Sequence, residues 1–81
     1  MTRDEVRAIV INSIREETEN PQLALTDETV ALDVPGWDSL GHVRIVMSIG
    51  MYLDADIDIK STYKARDVGE LVDIAVAAVG A

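Results

Sequence analysis

The chain has 81 residues with no Cys, one His and a formal net charge of -8, from 7 Lys and Arg against 15 Asp and Glu. This length holds one domain, residues 1–81, with a core too small to enclose a deep, water-free active site. The absent thiols exclude disulfides, a single His leaves no zinc ligand set, and the acids lack calcium-loop spacing. The negative charge argues against nucleic acid and anionic membranes and favours partners with basic surfaces.

Met1-Thr2-Arg3-Asp4-Glu5 is charged and lacks the apolar stretch of a signal peptide, and no apolar run approaches a membrane span. A soluble cytoplasmic chain without membrane insertion is expected. The first helix begins after Thr2, whose spacing to Glu5 is that of a capping box. Val6, Ile9, Val10, Ser13 and Ile14 recur at helical spacing, and Asn20-Pro21 stops the helix after about Thr18.

Residues 19–38 read as a long loop broken by Pro21 and Pro35-Gly36, with Thr26-Asp27-Glu28-Thr29 as a short turn of helix. A loop this long in so small a domain is often functional. Leu23, Leu25, Val30, Leu32 and Val34 are expected to pin it to the helices. The second helix starts at Asp38 or Ser39, with Asp38 as cap, and reaches about Leu53. Ile45, Val46, Ile49 and Leu53 form its core face, while Leu40, Val43, Met47 and Met51 form a second apolar face. Both faces cannot be fully buried in a small bundle, so the second is a candidate partner surface. Gly50 lowers helix propensity by about 1 kcal/mol and marks a possible bend or early end.

Ile57 and Ile59 alternate with polar residues, but a lone strand has nothing to pair with, so a short helical turn is expected near 56–63. The last helix starts at Asp67, with Glu70 completing a second capping box. Val68, Leu71, Val72, Ala75, Val76 and Val79 supply its apolar face, and Gly80-Ala81 is a frayed end. The fold class is all-α, a small four-helix bundle of three main helices and one short one with a long first loop.

Of the four serines, Ser39 alone stands at a helix start after a Pro-Gly turn. Free backbone N–H groups and the helix dipole favour a phosphate there, although an isolated Asp-Ser at a helix start is ordinarily just a cap. The surrounding run, Gly36-Trp37-Asp38-Ser39-Leu40-Gly41-His42-Val43, resembles the prosthetic-group motif of acyl carrier proteins. The resemblance spans nearly the whole chain: the first helix, the loop with Leu32-Asp33-Val34-Pro35-Gly36, the Val43–Met47 stretch and the last helix.

That resemblance implies a carrier and not an enzyme, with no catalytic residue and no metal. Ser39 would carry a covalent 4'-phosphopantetheine arm, taken from coenzyme A by a phosphopantetheinyl transferase. The arm's thiol would hold an acyl or aminoacyl group as a thioester. Asp38 would engage the transferase as well as cap the helix, and Leu40 would meet the arm and partners. Val43 and Met47 lie on the same face, where the family contacts its partners: acyl- or aminoacyl-loading enzymes and condensing or transferring enzymes. A monomer is expected. The competing reading is a helical interaction domain that keeps the carrier-like fold but is never modified.

His42 is expected to be a solvent-exposed helix residue, and Trp37 to cover the loop-to-helix junction. Ser39 and His42 lie three apart, but no third group orients the His as a hydrolase would need. One departure from the family stands out: residues 39–53 contain no acid, and Arg44 stands where the family often has Glu. The pairing of Arg44 with Met47, Met51 and Tyr52 on an acid-free helix points to dedicated partners that bind this helix mainly through apolar contact, in a specialised pathway rather than bulk fatty acid synthesis. Ile45, Val46, Ile49, Leu71 and Ile74 could line a pocket for a fatty chain or simply fill the core, which leaves the cargo open.

Overall fold

Thr2 opens α1, which runs Arg3–Glu17 in the computed structural model, where residues 1–80 are described. The Thr2 hydroxyl accepts from the Glu5 amide at 3.2 Å, and the Glu5 carboxylate accepts from the Thr2 amide at 2.7 Å. The expected capping box is therefore complete, and its backbone bond holds the Glu5 carboxyl below the usual carboxylate range. α2 spans Ser39–Leu53 with Asp38 as N-cap, and ends where Asp54 turns left-handed at φ 50°. Gly50 does not end it. Its carbonyl accepts from the Ala55 amide at 3.0 Å, and a Cβ at position 50 would lie 3.0 Å from the Ala55 oxygen. The returning chain uses the space that glycine leaves.

The short α3 is Ile59–Thr62, capped by Asp58, and α4 is Val68–Val79, capped by Asp67. The second capping box is incomplete. Asp67 accepts from the Glu70 amide at 2.9 Å, but the Glu70 carboxylate takes the Arg66 amide and guanidinium instead of the Asp67 amide. Arg66 adds its positive charge to that shifted bond, which explains the preference. Gly80 closes α4 in the left-handed conformation, and Ala81 of the expected frayed end lies outside the described residues.

The long loop departs from the sequence reading in two places. Thr26–Thr29 is a simple turn closed by the Thr29 amide on the Thr26 carbonyl, and the helical turn lies further on, a 3-10 segment at Ala31–Asp33. The backbone at 27–29 is engaged elsewhere: the Gly69 and Val68 amides donate to the Asp27 and Thr29 carbonyls at 2.8 and 2.9 Å. These are first-turn amides of α4, with no partner inside their own helix. Arg7 and Arg3 hold the Asp27 side chain at 2.7 and 3.6 Å, and the Arg7 bond keeps its carboxyl below the usual range. The second departure is Leu32, which points outward at 95% exposure while Val34 is buried. In the 3-10 turn only one of the two can face the helices.

α1 packs against both α2 and α4, and α3 joins α2 to α4. Val6, Val10 and Ile14 meet Ile45, Ile49 and Leu53 and the α4 residues Val68, Leu71, Val72 and Ala75 in one core. Leu23, Leu25 and Trp37 from the loop pack against it. No described helix is long and apolar enough to cross a membrane, and no described cluster of His, Cys and carboxylates could hold a metal.

Two buried groups work against the fold. The hydroxyls of Ser13 and Ser48 have no hydrogen-bond partner among the described residues. A buried, unbonded polar group destabilises by about 1–3 kcal/mol. Ser13→Ala is therefore expected to raise the unfolding free energy by about 1 kcal/mol. Urea denaturation checks this, and a loss of stability would show that the hydroxyl is bonded.

Candidate functional site at the start of the second helix

The chain enters α2 through a tight sequence of constraints. Gly36 adopts φ 88°, a left-handed conformation that disfavours other residues. Asp38 is extended, and its carboxylate accepts from the Gly41 amide at 2.8 Å. A Cβ on Gly41 would collide with the Gly36 carbonyl, so the loop and the first turn of α2 can approach only because residue 41 is glycine. Ser39, the first residue of the helix, is exposed. Among the described residues nothing hydrogen-bonds its hydroxyl.

One turn on, His42 is not the free surface residue that the sequence suggests. Its Nδ1 accepts from the Trp37 indole N–H at 3.0 Å, and its Nε2 lies 2.7 Å from the Thr62 hydroxyl. Its ring stacks on Tyr63 at a centroid distance of 4.5 Å and, less closely, on Trp37 at 6.2 Å. Burial lowers the imidazole's pKa. Trp37 covers the junction as expected and also bonds across it. With both ring nitrogens engaged, neither is free to take a proton from Ser39, so the pair lacks the geometry of a nucleophile and its base.

Beyond this turn, α2 shows the two faces its sequence implies. Ile45, Val46 and Ile49 are buried, whereas Leu40, Met47 and Met51 are 61%, 64% and 74% exposed. Val43 is half-buried between them, and Arg44 is exposed. The ion pairs of the described residues involve Arg3, Arg7 and Arg66, which leaves Arg44 without an acid. Tyr52 is turned back on α1, where its hydroxyl donates to the Glu16 carboxylate at 2.9 Å. The five residues considered for a fatty-chain pocket do not surround one cavity. Ile45, Val46, Ile49 and Leu71 fill the core, and Ile74 lies in a surface groove with Lys64 and Glu70. A groove of about 150 Å³ instead opens beside α2, walled by Trp37, His42, Thr62, Tyr63, Arg66 and Leu71.

No protein-family model and no curated protein matches the chain. A solved structure does: the solution NMR structure of a holo acyl carrier protein from Geobacter metallireducens. It is 25% identical, the match covers 93% of this chain and 85% of that one, and the TM-score is 0.78. The chain is acyl-carrier-protein-like. The all-α, four-helix reading of the sequence holds for this carrier-like fold, and Ser39 opens its second main helix.

Asp38, Ser39, Leu40, Val43, Arg44, Met47 and Met51 all lie on α2 or at its cap, none of them fully buried. Sequence reading missed Gly41 and Thr62. Gly41 carried a signal, since a glycine in a first helical turn needs a reason, whereas Thr62 is twenty residues from the His it bonds. Gly41→Ala is expected to destabilise the chain by about 2 kcal/mol, because the Gly36 carbonyl must move. Thermal unfolding checks this, and Gly50→Ala should do less, its nearest contact being the looser 3.0 Å approach of Ala55.

Proposed function

We propose that this chain is a carrier: Ser39 receives the 4'-phosphopantetheine arm of coenzyme A, and the arm's thiol presents an acyl or aminoacyl group to partner enzymes. One observation carries the reading. An exposed, unbonded serine hydroxyl opens α2 in a chain whose likeness to a holo acyl carrier protein covers 93% of its length. The site fits the group. The first amides of α2 lack partners inside the helix, and Asp38 occupies only that of Gly41.

When attached, the arm supplies the thiol that a cysteine-free chain lacks. In the transfer a bond forms between the Ser39 oxygen and phosphorus, and the pyrophosphate bond of coenzyme A breaks. The adenosine bisphosphate half leaves, and the hydroxyl proton passes to a base of the transferase. Ser39 is the attachment point, and Asp38 fixes the turn that presents it. Leu40 stands beside it, where the transferase and later partners meet the helix.

The partners proposed are a phosphopantetheinyl transferase, then acyl- or aminoacyl-loading enzymes and condensing or transferring enzymes. The carrier serves them as a cytoplasmic monomer. Leu40, Val43, Met47 and Met51 form an apolar stripe for them, with Arg44 beside it and no acid from residue 39 to 53. Such a surface suits dedicated partners of a specialised biosynthetic pathway that dock through apolar contact and offer an acid to Arg44.

Intact-mass measurement after incubation with coenzyme A and a broad-specificity transferase tests the attachment. The wild type should gain the mass of one phosphopantetheine, and Ser39→Ala should gain none. A wild type that no transferase modifies would make the chain an unmodified interaction domain. Arg44→Glu is expected to weaken binding to the cognate loading enzyme about tenfold. Unchanged or improved loading would overturn the role given to Arg44.

A further inference from the structure

The polar contacts around His42 form a directed chain. The Trp37 indole nitrogen can only donate, so His42 Nδ1, 3.0 Å away, must be the bare acceptor nitrogen. The neutral ring then carries its proton on Nε2, which donates to the Thr62 hydroxyl at 2.7 Å. That hydroxyl donates in turn to the Ile59 carbonyl at 2.6 Å. Thr62 is 1% exposed, so this chain is what satisfies a buried hydroxyl. Three parts of the fold meet at one imidazole: the loop end at Trp37, the first turn of α2 and the body of α3.

We propose that His42 is a pH-sensitive clasp: neutral, it ties the loop end at Trp37 and, through Thr62, α3 to the first turn of α2, and on gaining a proton at Nδ1 it releases Trp37 while its Nε2 bond to Thr62 is kept. The reason is geometric. A proton on Nδ1 would face the indole N–H donor to donor across 3.0 Å, with no lone pair left between them. Stacking on Tyr63 at 4.5 Å would favour the charged ring through its π face, but that gain at a partly exposed site does not replace a lost bond and a donor clash. The lowered pKa of the ring agrees with this balance. Because the folded value is depressed, the stabilisation is present above the ordinary His range near 6.5 and is lost as pH falls through the folded value.

The neighbouring charges do not compensate. α2 carries no acid from residue 39 to 53, and its Arg44 is exposed. The Asp38 carboxylate is engaged by the Gly41 amide, and that of Asp58 by the Lys60 amide at the start of α3. Lys60 and Lys64, which flank the body of α3, are exposed cations that would oppose a charged His. At the start of α4, Arg66 pairs with Glu70 and Asp67 accepts from the Glu70 amide. Asp33 of the 3-10 turn is exposed. The clasp does not depend on whether Ser39 is modified, so it can be tested on the unmodified chain.

The chain has one His and one Trp, which makes the measurement unambiguous. Nitrogen-detected NMR of the imidazole at about pH 8 should find the proton on Nε2, with the titration midpoint below the ordinary value of about 6.5. Between about pH 8 and pH 5, above where carboxylates ordinarily titrate, Trp37 fluorescence should change along the same curve. Hydrogen-exchange protection of the Trp37 amide, which donates to the Val34 carbonyl, should fall about tenfold, and that of the Thr62 and Tyr63 amides should not. His42→Gln, which does not titrate, should abolish the pH dependence in that window. Thr62→Val should keep the Trp37 response while leaving α3 weakly protected at both pH values. A proton on Nδ1 at high pH, a titration that leaves Trp37 unmoved, or pH dependence that survives in His42→Gln would each overturn the clasp.

Discussion

The Gly36 carbonyl lies where a side chain at position 41 would be, so the loop can turn into α2 only because residue 41 has no Cβ. Much else follows from that close approach. It brings the Asp38 carboxylate within 2.8 Å of the Gly41 amide, which fixes where the helix begins. It sets Ser39 as the first helical residue, on the outside of the turn, and places Trp37 within reach of His42 one turn later. A backbone contact, and not any property of the serine, decides that the hydroxyl faces solvent. The exposed position of Ser39 is thus inseparable from Gly36 and Gly41.

The same contact would mean little if the loop before it were loose. The segment from residue 19 to 38 contains a single 3-10 turn, and closing it is opposed by chain entropy. Its first part is held by Leu23 and Leu25 on the core and by the Arg15 guanidinium on the Leu23 carbonyl at 2.9 Å, and two further clamps follow. Near its middle, Asp27 and Thr29 give their carbonyls to the orphan amides of α4, while the Asp27 side chain pairs with α1 through Arg7. At its end, Trp37 packs on the core and bonds His42. The first clamp joins the loop to α1 and α4, and the second joins it to α2 and α3. Each helix is therefore tied to the loop, and the bundle holds together around it.

What could be read from the sequence divides along the range of the interactions. The α1 cap was legible because Thr2 and Glu5 are three residues apart, and the two faces of α2 were legible because helical periodicity separates Ile45 and Ile49 from Met47 and Met51. Ser39 was singled out through resemblance alone, its local capping geometry being too common to decide anything. The features that were not legible depend on distant partners. His42 bonds Thr62 across twenty residues, and Asp27 meets Arg7 across the same separation. Leu32 was read inward because it is apolar, yet the direction of a side chain in a 3-10 turn is set by which neighbour the helices accept, and they accept Val34. Glu70 was misread by one residue because the charge of Arg66 competes with the Asp67 amide for the same carboxylate.

The charge pattern then separates approach from docking. The net charge of -8 comes from acids outside α2, so the chain's overall field draws basic surfaces towards it. That field is screened beyond about 8 Å at physiological salt, and close contact is governed by what lies on the helix itself. There the Tyr52 hydroxyl is bonded to Glu16, while the residue itself stays 52% exposed. Leu40, Met47 and Met51 remain exposed beside an Arg44 that no acid of the fold engages. Methionine's flexible, polarisable side chain adapts to more than one opposing shape, which suits a surface visited by enzymes in turn. A partner complementary to this helix needs apolar pockets and one acid, whereas a partner built to read a row of carboxylates with Arg and Lys would meet Arg44 as a like charge. Under the proposed function, selection among partners therefore rests on α2, while the rest of the surface sets how fast they arrive.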